Sequence, residues 1–122
     1  MEVLHTPDGA TVINDAYNAN PMSMAAGLRA LVSVPAKRRI AVLGVMAELG
    51  DLHAKEHQAV AVLAAELGVE VLAFQEDGYG EPSVDSIEAA VAALGSLGRD
   101  DAVLVKGSRV AELERLAAAL TD

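Results

Sequence analysis

Thr11-Val12-Ile13-Asn14-Asp15-Ala16-Tyr17-Asn18-Ala19-Asn20-Pro21-Met22-Ser23-Met24 reads as a strand that turns a polar corner into a helix. The apolar run at 11–13 starts a strand that ends at Asp15. Asn20 and Pro21 stand where an N-cap and a first-turn proline belong. From Met22 to about Val32, Met24, Ala25, Leu28, Leu31 and Val32 recur at helical spacing. In α/β folds such a corner lies at the carboxyl end of a strand and the amino end of a helix, where ligands collect. One carboxylate, one phenol and two amides within positions 15–20 are costly to place at a core's edge unless they bond to something.

Working outward, residues 1–10 suit a short strand and a Pro7-Asp8-Gly9 turn. Pro35 ends the first helix, and Lys37-Arg38-Arg39 forms a solvated turn. The run at 40–43 (Ile-Ala-Val-Leu) does not alternate, which predicts a strand covered on both faces. A loop at 44–52 leads to a helix over about 54–67, with Val60, Leu63 and Leu67 on one face and Gly68 as its stop. A strand at 69–74 and an exposed polar loop at 75–82 follow. Asp85 or Ser86 caps a helix carrying Ile87, Ala90, Val91 and Leu94. The run at 102–105 is another fully apolar strand, and 110–120 a last helix with Leu113, Leu116, Ala117 and Leu120 inward. Strand and helix thus alternate about four times after a short opening strand. That predicts one α/β domain over 1–122, with a Rossmann-like, doubly wound, mostly parallel sheet, helices on both faces and right-handed crossovers.

The 122 residues are 52% apolar but 2% aromatic, so the expected core is aliphatic. Nine Lys and Arg against 18 Asp and Glu leave a net charge of −9, which argues against nucleic acid or an anionic membrane as partner. There is no cysteine, no signal-peptide pattern and no stretch long and apolar enough to span a bilayer. The expectation is a cytoplasmic protein without membrane insertion.

The loops after the strands share one edge of such a sheet. Three of them carry polar groups, at 15–20, 44–51 and 106–109, so a binding site is expected where they meet. Asp15 can accept from a ribose or an amine, or cap the helix. Asn18 and Asn20 can orient a ligand or build the turn, Asn20 being better suited to the cap. Glu48 can hold an ammonium or stand solvated. Lys106, Gly107 and Ser108 set a cation, a flexible backbone and a hydroxyl before a helix, a pattern that suits a carboxylate or phosphate. His53 and His57 share a helix face, but without a His-Glu-x-x-His pattern or an evident third ligand no metal site is expected. The chain has no Gly-x-x-x-x-Gly-Lys-Ser/Thr loop, no Gly-x-Gly-x-x-Gly fingerprint, no Gly-x-Ser-x-Gly elbow and no nucleophile–base pair. No catalytic residue is assigned. The acids at 100–101 precede a strand, and Lys106 is followed by Gly, so a receiver domain is excluded.

With these residues laid out, the chain resembles the C-terminal domain of the Mur ligases, in their D-alanyl-D-alanine-adding branch. The stretch at 15–24 is similar to the signature that opens that domain. The run at 42–50 (Val-Leu-Gly-Val-Met-Ala-Glu-Leu-Gly) resembles a second motif, with His57 matching a histidine beyond it, and 104–109 (Leu-Val-Lys-Gly-Ser-Arg) a third. The resemblance departs at Val45, where the family usually has an acid, and at 75–82, which is shorter than the family's equivalent. It implies an ATP-dependent peptide ligase that adds D-alanyl-D-alanine to UDP-N-acetylmuramoyl-tripeptide in peptidoglycan synthesis. It further implies that ATP and magnesium are held mainly by a central domain, and the uridine end by an N-terminal one. Carried over, Asp15 and Asn18 lie on the ribose side, and Glu48, Lys106, Gly107 and Ser108 on the dipeptide side. The chain is then one domain of a three-domain enzyme, cut from a longer chain and inactive alone. Two other readings remain open at this point: a free-standing module for a small or regulatory ligand, and a purely structural domain.

Overall fold

The computed structural model describes residues 1–80 and 83–122. Among the described residues, six strands form one sheet: β1 (Glu2–His5), β2 (Thr11–Asp15), β3 (Arg38–Leu43), β4 (Glu70–Phe74), β5 (Ser83–Val84) and β6 (Asp101–Lys106). Their order is β1-β2-β6-β3-β4-β5. β1 pairs antiparallel with β2, and every other pairing is parallel. Four helices cover it: α1 (Pro21–Ser33), α2 (His53–Glu66), α3 (Ile87–Leu94) and α4 (Glu114–Thr121). This is the doubly wound α/β sheet expected from the strand–helix alternation.

The central strands are buried on both faces, which is why their sequences do not alternate. Ile13, Ala41, Leu43, Ala102 and Leu104 pack under α1 and α2 with Met24, Leu28, Leu31, Val60 and Ala64. Val12, Ile40, Val42, Val103 and Val105 point the other way, toward Ala90, Leu94, Leu113 and Leu116 of the α3–α4 side. Residues one apart thus feed opposite cores, as the pleat requires.

The helix boundaries follow local chemistry. Asn20 caps α1, its Oδ1 accepting from Ser23 N at 2.8 Å while Ser23 Oγ accepts from Asn20 N at 3.0 Å, a reciprocal capping box. Val34, held extended before Pro35, ends it. Ser86, rather than Asp85, caps α3.

Five expectations need correction. Lys37-Arg38-Arg39 is not a solvated turn throughout, because Arg38 and Arg39 are half-buried and open β3, in register with Asp101 and Ala102. The last helix is not continuous from 110: Arg109–Ala111 is a 3-10 turn, Glu112 adopts φ +54°, and α4 starts at Glu114. The break sets the Leu113 side chain against Gly44 and Gly107. The buried stripe of α2 is His57, Val60 and Ala64, with Leu63 and Leu67 half-buried. The loop after β4 is not simply exposed, because Tyr79 is buried in it, and β5 follows it; residues 81–82 lie outside the described residues. Nor is the core purely aliphatic, since Phe74 and Tyr79 are both buried.

Candidate functional site

The carboxyl ends of β2, β6 and β3 lie side by side. Asp15 is in register with Lys106, and Lys106 with Leu43. Neighbours in register share a sheet face, so the Asp15 and Lys106 side chains both point toward α1. Lys106 Nζ donates to Asp15 Oδ2 at 2.5 Å and to Asn18 O at 2.9 Å. Its stem runs beneath α1 at Gly27, where an added Cβ would come within 2.9 Å of Lys106 Cδ. Lys106 is fully buried. A buried ammonium is tolerated only when paired and hydrogen-bonded, and here one carboxylate and one carbonyl meet it. The two residues expected at opposite ends of a ligand are thus bonded to each other, a contact 91 positions apart that spacing alone could not reveal.

The three polar loops do converge. Tyr17, Asn18, Ala19 and Asn20 after β2, Ala47 and Glu48 after β3, and Ser108, Arg109 and Val110 after β6 line an open cleft of about 420 Å³. Glu48 sits at φ +64° with its side chain exposed at the rim. Ser108 is buried, its N–H donates to Val45 O at 2.8 Å, and its Oγ has no hydrogen-bond partner among the described residues. A buried hydroxyl without a partner on a cleft wall is a group left over for a ligand. Asp15 and Lys106 lie behind this wall rather than on it. Tyr17, Arg109 and Val110 are exposed cleft residues to which the sequence reading assigned no role. Their position beside Asn18 and Ser108 was the available signal.

Two glycines let the β3 and β6 loops touch. A Cβ on Gly107 would stand 3.0 Å from Gly44 Cα and 3.0 Å from Leu113 Cδ1, and one on Gly44 would meet Leu113 Cδ1 at 2.9 Å. Gly44 N donates to Lys106 O at 2.8 Å across this contact.

The β3 loop is also held from its far side. Tyr79 Oη donates to Gly44 O at 2.6 Å. Burial, with the charge of Glu76 nearby, pushes the Tyr79 phenol far above its ordinary value, so it stays a donor. His57, fully buried, accepts from Met46 N at Nε2 (3.0 Å) and donates from Nδ1 to His53 O (2.6 Å). Glu76 reaches His53 Nε2 at 3.0 Å and accepts from Gly78 N at 2.7 Å. Burial alone would push the Glu76 carboxyl up, but these hydrogen bonds and the neighbouring imidazoles hold it below its ordinary value.

His53, His57 and Glu76 bring three ligand-type atoms within 4.8 Å of one another, so the third group that the His pair lacked comes from the loop after β4. Both ring nitrogens of His57 are nonetheless engaged by backbone groups, which leaves His53 and Glu76 as the accessible donors. Two such donors are fewer than a protein zinc site uses.

The sequence and fold have counterparts. A family model described as Mur ligase, glutamate ligase domain, matches residues 1–109. The UDP-N-acetylmuramoyl-tripeptide–D-alanyl-D-alanine ligase of Mycobacterium tuberculosis (strain CDC 1551) is 39% identical, over 98% of this chain and 30% of that protein. The enzyme of the same name from Mycobacterium leprae is 37% identical, over 96% of this chain and 29% of its own length. Among solved structures, the MurF ligase of Thermotoga maritima in complex with ADP superposes with a TM-score of 0.85 at 26% identity, covering 98% of this chain and 29% of that one. MurF from Acinetobacter baumannii gives 0.82 at 26%, with the same coverage. The chain therefore spans about 30% of the length of the proteins it matches.

Proposed function

Because this chain belongs to the Mur ligase family through its glutamate ligase domain, we propose that it is the C-terminal domain of an ATP-dependent ligase that adds D-alanyl-D-alanine to UDP-N-acetylmuramoyl-tripeptide. The observation that carries this is the convergence of the 15–20, 44–51 and 106–109 loops on one cleft, in a chain whose full-coverage relatives bear that name. In such a reaction ATP phosphorylates the tripeptide carboxylate and leaves as ADP. The dipeptide amine then attacks the acyl phosphate, phosphate departs, and the amine gives up a proton as the amide forms. The domain's part is to bind, orient and exclude water as it closes over the nucleotide.

Asn18 stands on the ribose side of the cleft, with Asp15 supporting that side from behind the wall. Glu48 and Ser108 form the dipeptide side, with Gly107 packed behind them against Gly44; there the Ser108 hydroxyl is free to donate to the terminal carboxylate and Glu48 can face an ammonium. Lys106 acts from behind, holding Asp15 and the Asn18 carbonyl in place. Magnesium does not fit the cleft: Glu48 is the one carboxylate among the described residues that line it, and Asp15 behind the wall is bonded to Lys106. On the family resemblance, the metal and the ATP phosphates are assigned to a central domain. Among the described residues no helix is long and apolar enough to cross a membrane, and a cytoplasmic enzyme fits nucleotide-linked substrates.

The test uses the longer protein that carries this domain. Since Asp15 and Lys106 bond to each other, substituting either disturbs both, and Ser108→Ala is the cleaner probe. It should raise KM for D-alanyl-D-alanine about tenfold and leave KM for ATP within about twofold. Equal changes in both would remove the assignment of sides. The 122-residue chain alone should show no ligation, and tight ATP binding by it alone would favour a free-standing nucleotide-binding module.

A further inference from the structure

The 44–50 loop is one wall of the cleft, and its backbone hangs on side chains with no part in the ligase chemistry proposed above. Gly44 O takes its hydrogen bond from Tyr79, and Met46 N gives its own to His57 Nε2. The partners of His57 identify its proton. A carbonyl can only accept, so Nδ1, 2.6 Å from His53 O, carries the hydrogen. An amide N–H can only donate, so Nε2 offers Met46 a lone pair. One neutral tautomer satisfies both bonds.

We propose that His57 is a positioning residue with two settings: neutral, it locks the cleft wall through Met46; protonated, it transfers its Nε2 hydrogen bond to Glu76 and releases the wall. A second proton on the ring would sit on Nε2 and point at the Met46 N–H, setting two donors against each other. The nearest alternative acceptor is Glu76 Oε1, 3.9 Å from Nε2, close enough for a small shift of the ring to reach. Glu76 is anionic through the range in which imidazoles titrate, because its carboxyl lies below the ordinary value. Among the described residues, the titratable groups against His57 are His53, stacked at 4.0 Å, Tyr79, edge-on at 4.9 Å, and Glu76. The β3 loop meets its ring with the Met46 backbone N–H. Tyr79 stays protonated throughout. His53 bonds both Glu76 oxygens, and a proton on it leaves the Met46 bond untouched.

Nitrogen NMR of the 122-residue chain tests this directly. At pH near 8, His57 should show the Nδ1–H tautomer. On acidification the Met46 amide shift should follow His57 protonation, and its exchange protection, corrected for intrinsic rate, should drop about tenfold. The Val103 and Leu104 amides of the central strand should change by less than about twofold. His57→Gln keeps an acceptor that does not titrate, so Met46 should stay protected with no step. Tyr79→Phe should loosen Gly44 and keep the step. An Nε2–H tautomer, a His57 titration that leaves Met46 unmoved, or a Met46 step that survives in His57→Gln would each overturn the proposal. The functional consequence rests on the ligase reading: in the longer protein, dipeptide KM should rise with acid in the wild type and not in His57→Gln. Absence of ligase activity at every pH would sink the ligase reading and leave the NMR result standing.

Discussion

Asp15 and Lys106 stand opposite each other in register at the ends of β2 and β6 and close a 2.5 Å ion pair beneath α1. Lys106 is wholly buried, whereas the Asp15 side chain keeps 20% of its surface in solvent. Asp15→Asn should therefore cost about 3 kcal/mol in urea unfolding, because it leaves an ammonium buried without a counter-charge. Lys106→Met should cost less, since Asp15 can turn to water. The double substitution should be milder than the sum of the two, and strict additivity would show that the pair carries no coupling.

Gly107→Ala must push a methyl into the Gly44 backbone, a neighbour that cannot rotate away. Overpacking of this kind typically costs about 2 kcal/mol. The damage should be local, with Gly44, Val45 and Ser108 amides shifting most in NMR spectra while α3 stays in place. A variant as stable as the parent would mean that the two loops part freely.

Tyr79→Phe deletes one hydroxyl and strands the buried Gly44 carbonyl. The expected loss is about 1–2 kcal/mol with an unchanged denaturant slope. An unchanged midpoint would mean that water replaces the phenol at that carbonyl.

Glu76 contributes to the acid limb of stability. Its folded carboxyl lies below the ordinary value of 4.5, so the folded state binds this proton less readily than the unfolded chain does. The contribution is complete above 4.5 and disappears as pH falls through the lower, folded value. Glu76→Gln should flatten the stability–pH curve below about pH 5 and lower its neutral plateau. An identical acid limb in the variant would place the acid sensitivity at other carboxylates.

Asn20→Ala should cost about 1 kcal/mol, since both halves of the capping box with Ser23 are lost. Asn20→Ser should restore most of it, because Ser caps through the same backbone N–H. Failure of Ser to rescue would point to a role for the amide in the cleft.

How much of this was legible in the sequence differs from element to element. The sheet was, because runs such as 40–43 and 102–105 are apolar at every position, and only a strand covered on both faces needs that. The start of α1 was legible too, since Asn20 and Pro21 act on backbone groups a few residues away. The meeting of the three loops followed from topology alone, because the carboxyl ends of parallel strands share one edge. What each loop residue does there was not legible. That Lys106 turns inward to Asp15, that Gly27 and the Gly44–Gly107 pair leave room for neighbours, and that His57 and Tyr79 hold the β3 loop are contacts between distant segments. The sequence by itself determined which elements form and which edge the polar loops share, since periodicity and capping are local. Tertiary structure alone decided which polar groups are used up inside the fold and which, such as the Ser108 hydroxyl, remain for a ligand, because a hydrogen bond between distant residues exists only once packing has brought them together.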